Sequence, residues 1–107
     1  LMMYQILMLK DSEEAADKRF MRYEWTTAHG GVNLDEYETV YTGQIEPAET
    51  AAETLEALYI LFNVNRPEDY SGRSLSVSDL VALDIGTYYC DSTGFRRLDE
   101  QLTIFDR

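Results

Sequence analysis

The sequence predicts an α+β fold: a mostly antiparallel sheet of about five to six strands, one principal helix packed on it, and one or two short helical turns. Short runs of apolar or alternating residues recur between turn residues, as in strands, and residues 50–62 have helical periodicity. With 107 residues, 45% of them hydrophobic, the chain can bury one core, so we expect residues 1–107 to form one domain. The Leu1 that precedes Met2 suggests either a residue left from cloning or a domain excised from a longer protein.

The N-terminal part of the chain is expected to form a strand, a short helix and a second strand. Residues 3–9 are apolar with one polar interruption, which predicts a central or near-central strand. Ser12 is a suitable N-cap for a short helix over residues 13–18, with acids near its start and bases near its end. Large apolar side chains alternate with polar ones over residues 20–25, which favours a half-buried strand over the alternative of a longer helix.

The next part of the chain changes from loop to strand. Residues 26–32, which include His29 and two glycines, form the best candidate for a mobile loop. Asn33 has a glutamate three residues later, which is the spacing of a capping box and predicts one helical turn over residues 34–37. Residues 38–45 are rich in β-formers and predict a third strand.

The principal helix is the clearest element. Thr50 and Glu53 have the spacing of a capping box at its start, and Asn63 is a suitable left-handed C-cap at its end. The apolar residues between them recur at the spacing of one helix face: Leu55, Leu58, Tyr59 and Phe62. We therefore expect a helix over residues 50–62 that lays one apolar stripe on the sheet.

The C-terminal part of the chain predicts a meander of three short strands, over residues 80–84, 87–91 and 95–98, joined by tight turns. A loop over residues 66–72 leads into it. The tail keeps three apolar residues, so it either packs on the domain or contacts something absent: Leu102, Ile104 and Phe105.

The composition limits the possible partners and the compartment. Twenty acidic against nine basic residues give a formal net charge of -11, which opposes nucleic acid as a direct partner and favours a basic protein surface, a cationic ligand or simply solubility. The single Cys90 cannot form an internal disulfide, which indicates a reducing compartment, and we expect a cytoplasmic protein. No apolar run approaches the roughly 18 residues of a membrane span, and no signal peptide is evident.

No residue pattern in the chain predicts catalysis. His29 is the only histidine, and its neighbours supply no partners for a metal site or a general base. Cys90 lies beside tyrosines in a predicted strand and is expected to be a packing residue. The serines near residue 76 lack the lysine and glycine spacing of a P-loop. We therefore expect no enzymatic activity, no metal and no cofactor.

Two groups of residues are candidates for a functional role. The first is a binding or structural motif around the strand-entry stretch, in which Asp79 is expected to anchor a turn into the central hairpin: Ser74, Ser76, Ser78, Asp79, Tyr89 and Asp91. The second is an aromatic interaction surface, suggested by eight tyrosines and one tryptophan: Trp25, Tyr70 and Tyr88. Plain packing is an equally good explanation of these aromatic residues.

Residues along nearly the whole chain resemble one family. The most specific segment is Ser74-Leu75-Ser76-Val77-Ser78-Asp79, and further matching segments are Tyr4-Gln5-Ile6-Leu7, Leu9 to Glu14, Arg19-Phe20-Met21, Tyr37 to Tyr41 with Gly43, Leu55 with Tyr59, Phe62-Asn63, Pro67 to Tyr70, and Tyr89-Cys90-Asp91-Ser92 with Gly94-Phe95. Together they resemble the YodL-like domain over about residues 4–98. The resemblance implies a domain of large multidomain proteins of conjugative elements and phages in gut bacteria, and of short stand-alone proteins beside them. It implies no assigned activity and no catalytic residues.

Three functions are compatible with these observations. The favoured one is a non-enzymatic protein-interaction module of a bacterial mobile genetic element, with an unknown protein as its partner. The first alternative is an acidic DNA mimic of the antirestriction type, which requires a continuous stripe of carboxylates. The second is a small-ligand-binding or enzymatic domain, which requires Ser76, Ser78, Asp79, Tyr89 and Asp91 to converge on a concave site.

Overall fold

A computed structural model describes residues 1–98. In chain order its elements are β1 (Met2–Leu9), α1 (Glu13–Ala16), α2 (Tyr23–Ala28), a 3-10 turn (Leu34–Glu36), β2 (Tyr37–Ile45), α3 (Ala51–Val64), β3 (Leu80–Leu83), β4 (Gly86–Asp91) and β5 (Gly94–Arg97). The apolar tail residues Leu102, Ile104 and Phe105 lie outside the described residues. None of the helices within residues 1–98 has the length and hydrophobicity that a bilayer span requires.

The five strands form one antiparallel sheet in the order β2-β1-β3-β4-β5. The short β3 is central, and β1 pairs with it in register from Tyr4 opposite Leu83 to Leu7 opposite Leu80. The near-central position expected for the first strand and the predicted α+β fold are thus confirmed, with five strands in the described chain. The pairing of β1 with β2 shifts between Ile6 and Leu7, where β2 carries one extra residue.

Helix α3 covers one face of the sheet. Its buried side chains Leu55, Leu58 and Phe62 pack against a cluster from β1, β3, β4 and the loop before β3, whose buried members are Tyr4, Ile6, Met8, Tyr70, Leu75, Val81, Leu83 and Tyr88. Burial of a residue such as Leu58 or Phe62 stabilises the fold by roughly 1.5–3 kcal/mol. The opposite face is covered by α1, α2 and the 3-10 turn through a second cluster, which includes Leu7, Leu9, Ala15, Leu34, Leu80, Ala82 and Tyr89.

The start of α3 is as predicted, but its end is not. The Thr50 hydroxyl accepts a hydrogen bond from the backbone N–H of Glu53 at 3.1 Å and donates to the Glu53 carboxylate at 2.9 Å. The helix does not end at a left-handed Asn63, because Asn63 is helical and α3 continues to Val64. The Asn63 amide instead donates to the Leu75 carbonyl at 3.1 Å. It therefore ties the following loop to the helix.

The prediction of a strand over residues 20–25 is wrong, because the chain forms α2 from Tyr23 onwards. Helical spacing turns Tyr23 and Thr26 to the sheet, where the Tyr23 ring packs on Tyr89 with 5.3 Å between centroids. The N-terminus of α2 has no side-chain cap of its own. Asp91 on β4 accepts from the Tyr23 N–H at 3.1 Å instead, and this partner is distant in sequence.

The expected loop over residues 26–32 begins later than predicted, since α2 extends to Ala28. His29 is the C-cap residue of that helix, and its ring stacks on Trp25 at 3.9 Å. Two local predictions are confirmed: Ser12 caps α1 by accepting from the Ala15 N–H, and Asn33 caps the 3-10 turn. The predicted strands of the C-terminal meander are present as β3, β4 and β5, with boundaries that differ by one residue.

Candidate functional site

The predicted serine-rich motif forms a turn at the entrance to β3. The Asp79 backbone N–H donates to the Ser76 carbonyl at 3.1 Å, which closes the turn. Ser78 within it has a φ of 85°, in the left-handed region that non-glycine residues rarely adopt. Two further backbone hydrogen bonds, each 2.9 Å long, join Ser78 and Asp79 to Cys90 on β4. The turn is therefore fixed to the sheet on both sides of the strained residue.

Asp79 anchors this turn through its side chain, which is fully buried. Its carboxylate accepts hydrogen bonds from Nη1 and Nη2 of Arg73, at 2.9 and 2.5 Å, and from the Ser76 backbone N–H at 2.7 Å. Burial raises the pKa of Asp79 above its ordinary value, and the hydrogen bonds and charge of Arg73 and the Ser76 N–H oppose that rise. The hydrogen bonds of the carboxylate thus hold the loop that enters β3.

The three serines of the motif also make structural hydrogen bonds. The Ser74 hydroxyl accepts from the Arg66 guanidinium at 2.9 Å, and the Ser76 hydroxyl donates to the Ser74 carbonyl at 3.2 Å. The buried Ser78 hydroxyl accepts from the backbone N–H of Phe20, also at 2.9 Å. Each of the three hydroxyls is therefore used in a hydrogen bond within the fold.

Tyr89 lies on the other side of the sheet from α3 and is fully buried. Its hydroxyl donates to the Met21 carbonyl at 2.5 Å and is hydrogen-bonded to Thr26 Oγ1 at 2.8 Å. Nearby, the Tyr37 hydroxyl donates to the Ser78 carbonyl at 2.6 Å. Burial raises the pKa of both tyrosines, so both hydroxyls stay protonated and serve as donors.

The hydrogen bonds of Asp91 are made with residues outside the serine-rich turn. Its Oδ1 accepts from the Tyr23 and Ser92 backbone N–H groups at 3.1 and 2.9 Å, while Oδ2 lies 3.8 Å from Arg96 Nη1. The structure thus brings the motif serines and Asp79 together in one loop cluster, and places Tyr89 and Asp91 around α2. Ser78, Asp79 and Tyr89 have buried and hydrogen-bonded side chains, so these three are not open to a ligand.

The three candidate aromatic residues do not form one surface. Tyr70 is buried against Phe62, and its hydroxyl donates to the Arg73 carbonyl at 2.6 Å. Tyr88 is buried in the core under α3. Trp25 is half-buried on α2, on the opposite face of the sheet. Tyr70 and Tyr88 therefore act in packing.

A concave surface is present where α3 leaves the β4–β5 hairpin uncovered. Two adjoining clefts of about 210 and 230 Å³ share Glu56, Gly94 and Phe95, and we call them together the α3 groove. The 230 Å³ cleft is mainly apolar, with Leu55, Tyr88 and Phe95 in its lining. The 210 Å³ cleft is mixed, because Asp91 and Ser92 line it beside Tyr59 and Val77. Glu56 is exposed and places a carboxylate at the rim. Such a groove suits an apolar side chain with a neighbouring positive charge.

Reactive groups in the described chain do not support catalysis in the groove. Cys90 lines it, but burial, reinforced by the charges of Asp79, Asp91 and Glu56, raises the pKa of this thiol to about 12. The thiol is therefore protonated near neutral pH and is a poor nucleophile. Among residues 1–98, no group of three or more histidine, cysteine, aspartate or glutamate side chains is arranged to hold a metal ion.

Four residues of these sites were not found from the sequence. Arg73 pairs with Asp79 only because the loop folds back. Phe20 reaches Ser78 across 58 positions of sequence. Glu56 and Phe95 line the same groove because α3 lies next to the hairpin. Of these, only Glu56 had a local signal, as a charged residue at the flank of the apolar stripe of α3.

Comparison with known proteins identifies the family of the chain. A family model described as the YodL-like domain matches residues 3–100, which is nearly the whole sequence. No curated protein and no solved structure matches the chain. The segments that resembled this family lie in β1, β2, the start of α1, α3, the serine-rich turn and the β4–β5 hairpin, and in the loops that follow α1 and α3. The chain therefore belongs to the YodL-like domain family.

Proposed function

We propose that this domain is a non-enzymatic protein-interaction module of a bacterial mobile genetic element, acting in the cytoplasm, and that the α3 groove receives an apolar side chain from a basic partner segment. One observation carries this proposal: a groove with an apolar floor and the Glu56 carboxylate at its rim. A pocket of this kind can hold an aliphatic anchor while the carboxylate pairs with a lysine or arginine beside it.

The charge of the chain supports a basic partner. A net charge of -11 attracts cationic surfaces over the distance of the screening length and raises their rate of encounter. Glu53 and Glu56 both lie on the half of α3 that approaches the groove. A basic segment would therefore be steered to the place where its apolar side chain can be buried.

The exposed side of α3 supports a protein as partner. Ile60 is 51% exposed and Val64 is 79% exposed, and both follow Glu56 along the same helix. Apolar residues that cluster on a surface next to a groove are typical of interaction sites. A peptide or protein that occupies the groove can extend along these residues and cover them.

The two alternative functions have weaker support. A DNA mimic needs a continuous carboxylate stripe, but exposed acids lie on both faces of the sheet, at Glu13 and Glu14 on α1 and at Glu53 and Glu56 on α3. A ligand pocket built on the serine-rich motif needs free side chains, and the hydrogen bonds of Asp79 and Ser78 are already made within the fold.

The proposal is tested by NMR titration of the domain with two pentapeptides, one of alternating arginine and leucine and one of alternating glutamate and leucine. We expect the basic peptide to shift the backbone resonances of Tyr88 and Phe95, with a Kd below about 1 mM, and the acidic peptide to leave them unchanged. Glu56→Arg should weaken binding about tenfold or more.

Glu68→Arg is the matched control, because this exposed glutamate lies in the loop before β3 and does not line the groove. It makes the same change in net charge, so it should retain most of the affinity. Equal loss in both variants would mean that only the overall charge attracts the peptide. That result, or the absence of shifts at Tyr88 and Phe95, would contradict the proposed groove.

A further inference from the structure

The two non-glycine residues with positive φ in residues 1–98 lie in contact with each other. Phe20 has a φ of 69° and Ser78 a φ of 85°. The Phe20 backbone N–H donates to the Ser78 hydroxyl at 2.9 Å. A left-handed conformation is uncommon for any non-glycine residue and unusual for a bulky one, and it persists only where surrounding contacts enforce it. The serine-rich motif thus enforces an unfavourable backbone conformation at Phe20.

Burial of the ring does not explain why a phenylalanine occupies this position. The side chain is 56% exposed, in the connection between α1 and α2. The Arg73 guanidinium lies over the ring, 5.3 Å from its centroid, and Asp79 holds that guanidinium in place. Asparagine or glycine would fit the left-handed backbone more easily. The ring is therefore held in a fixed position while much of it faces solvent.

Two arginines, Arg73 and Arg19, belong to the surroundings of the Phe20 ring, and the charge of both acts on the buried Asp79 carboxylate. The Asp79 carboxylate is fully buried, whereas the side chain of its partner Arg73 is 33% exposed. Arg19, next to Phe20 in the chain, donates to the Lys10 main-chain carbonyl at 2.9 Å. With two guanidinium groups against one buried carboxylate, this group of three side chains carries one net positive charge, and exposed charges further than about 8 Å away are largely screened at physiological ionic strength.

We propose that Phe20 is the anchor of a second protein-binding surface, which takes an apolar side chain flanked by carboxylates from an acidic partner segment. A rigid aromatic side chain beside arginines is the composition typical of interface hot spots. Because the ring is already oriented by Ser78, Arg73 and Asp79, little conformational entropy is lost when a partner covers it. This surface is independent of the α3 groove. It takes an acidic partner segment, whereas the groove takes a basic one.

The test uses the short peptide acetyl-Asp-Leu-Phe-Asp-amide, followed by NMR shifts of Phe20, Arg73 and Ser78. We expect the wild-type domain to bind it and Phe20→Asn and Phe20→Gly to weaken binding at least about tenfold. Both variants relieve the left-handed conformation, so their melting temperatures should be equal to or above that of the wild type. Ile85→Asn, which replaces another exposed apolar residue, is the matched control and should bind normally.

Three results would overturn the proposal. The first is the absence of shifts at Phe20 and Arg73 with the acidic peptide. The second is a lower melting temperature for both Phe20 variants, which would show that the ring stabilises the fold by packing. The third is a shift of these resonances on addition of a short oligothymidylate but not of the acidic peptide, which would indicate that the surface binds nucleic acid instead. The test of the α3 groove with the basic pentapeptide follows the resonances of other residues, Tyr88 and Phe95. Either proposal can therefore fail while the other holds.

Discussion

Replacement of Asp79 by alanine gives the most informative test of the fold, because three hydrogen bonds converge on its buried carboxylate. Removing one partner of a fully buried ion pair costs about 3–5 kcal/mol. The cost here lies at the lower end, since Arg73 is 33% exposed and can regain solvation. The Ser76 N–H also loses its acceptor. We therefore expect Asp79→Ala to lower the free energy of unfolding by about 3 kcal/mol.

Urea unfolding followed by circular dichroism measures this loss, which corresponds to about 10–20 °C in melting temperature for a domain of this size. Asp11→Ala, at an exposed position, is the control and should change the free energy of unfolding by no more than about 0.5 kcal/mol. A double-mutant cycle with Arg73→Ala isolates the pair, and we expect a coupling of about 1–3 kcal/mol. A loss from Asp79→Ala as small as that of the control, or a coupling near zero, would refute the assigned role.

The stability of the domain should also depend on pH through Asp79. Its pKa is raised in the folded chain, mainly by burial, so the folded state holds the proton more tightly than the unfolded state. The resulting stabilisation is fully present below the unfolded pKa of about 3.9 and is lost as the pH rises through the folded value. Compared with Asp79→Asn, the wild type should therefore lose stability across that interval. A stability difference between the two proteins that does not vary with pH would contradict this.

Three further predictions test other parts of the structure. Cys90 should react with iodoacetamide far more slowly in the folded domain than in urea, because burial raises its pKa to about 12; equal rates would show an accessible thiolate. Thr50→Ala should lower the free energy of unfolding by about 1 kcal/mol through loss of the helix cap, whereas an unchanged urea midpoint would show that the cap is dispensable. Gly72→Ala should cost about 1–3 kcal/mol, since a Cβ there would meet the Tyr70 ring. Tyr70→Phe, which removes only the hydroxyl, should cost less, and the reverse order would contradict the clash.

Much of the fold could be predicted because its signals are local. The cap at Thr50 and the apolar spacing of α3 depend on residues within four positions of one another, and the same holds for Ser12 and α1. The hairpins of the C-terminal meander follow from turn residues between short apolar runs. The ends of the elements were less predictable. Asn63 is not the C-cap, because α3 continues through it to Val64, and its amide donates to the Tyr59 carbonyl at 2.8 Å and to the Leu75 carbonyl at 3.1 Å.

The candidate sites were much less predictable. The alternation over residues 20–25 indicated a strand, but Asp91 and Tyr89 on β4 stabilise a helix there. Tyr70 and Tyr88 could equally be surface or core residues, since composition does not distinguish the two. The α3 groove arises from the way a helix crosses a hairpin, and its depth depends on the packing of both.

The sequence by itself determined the fold class, the positions of most elements and the acidic character, because periodicity, capping and net charge are properties of neighbouring residues or of their sum. The family followed separately, from the resemblance of segments such as Ser74 to Asp79. Only the tertiary structure decided the role of the serine-rich motif. Asp79, Arg73 and Ser78 combine with Phe20 through contacts between distant parts of the chain. A residue's hydrogen-bond partner and its exposure depend on the packed chain as a whole. The same motif that resembles the family is therefore the element that holds Phe20 in its strained and exposed position.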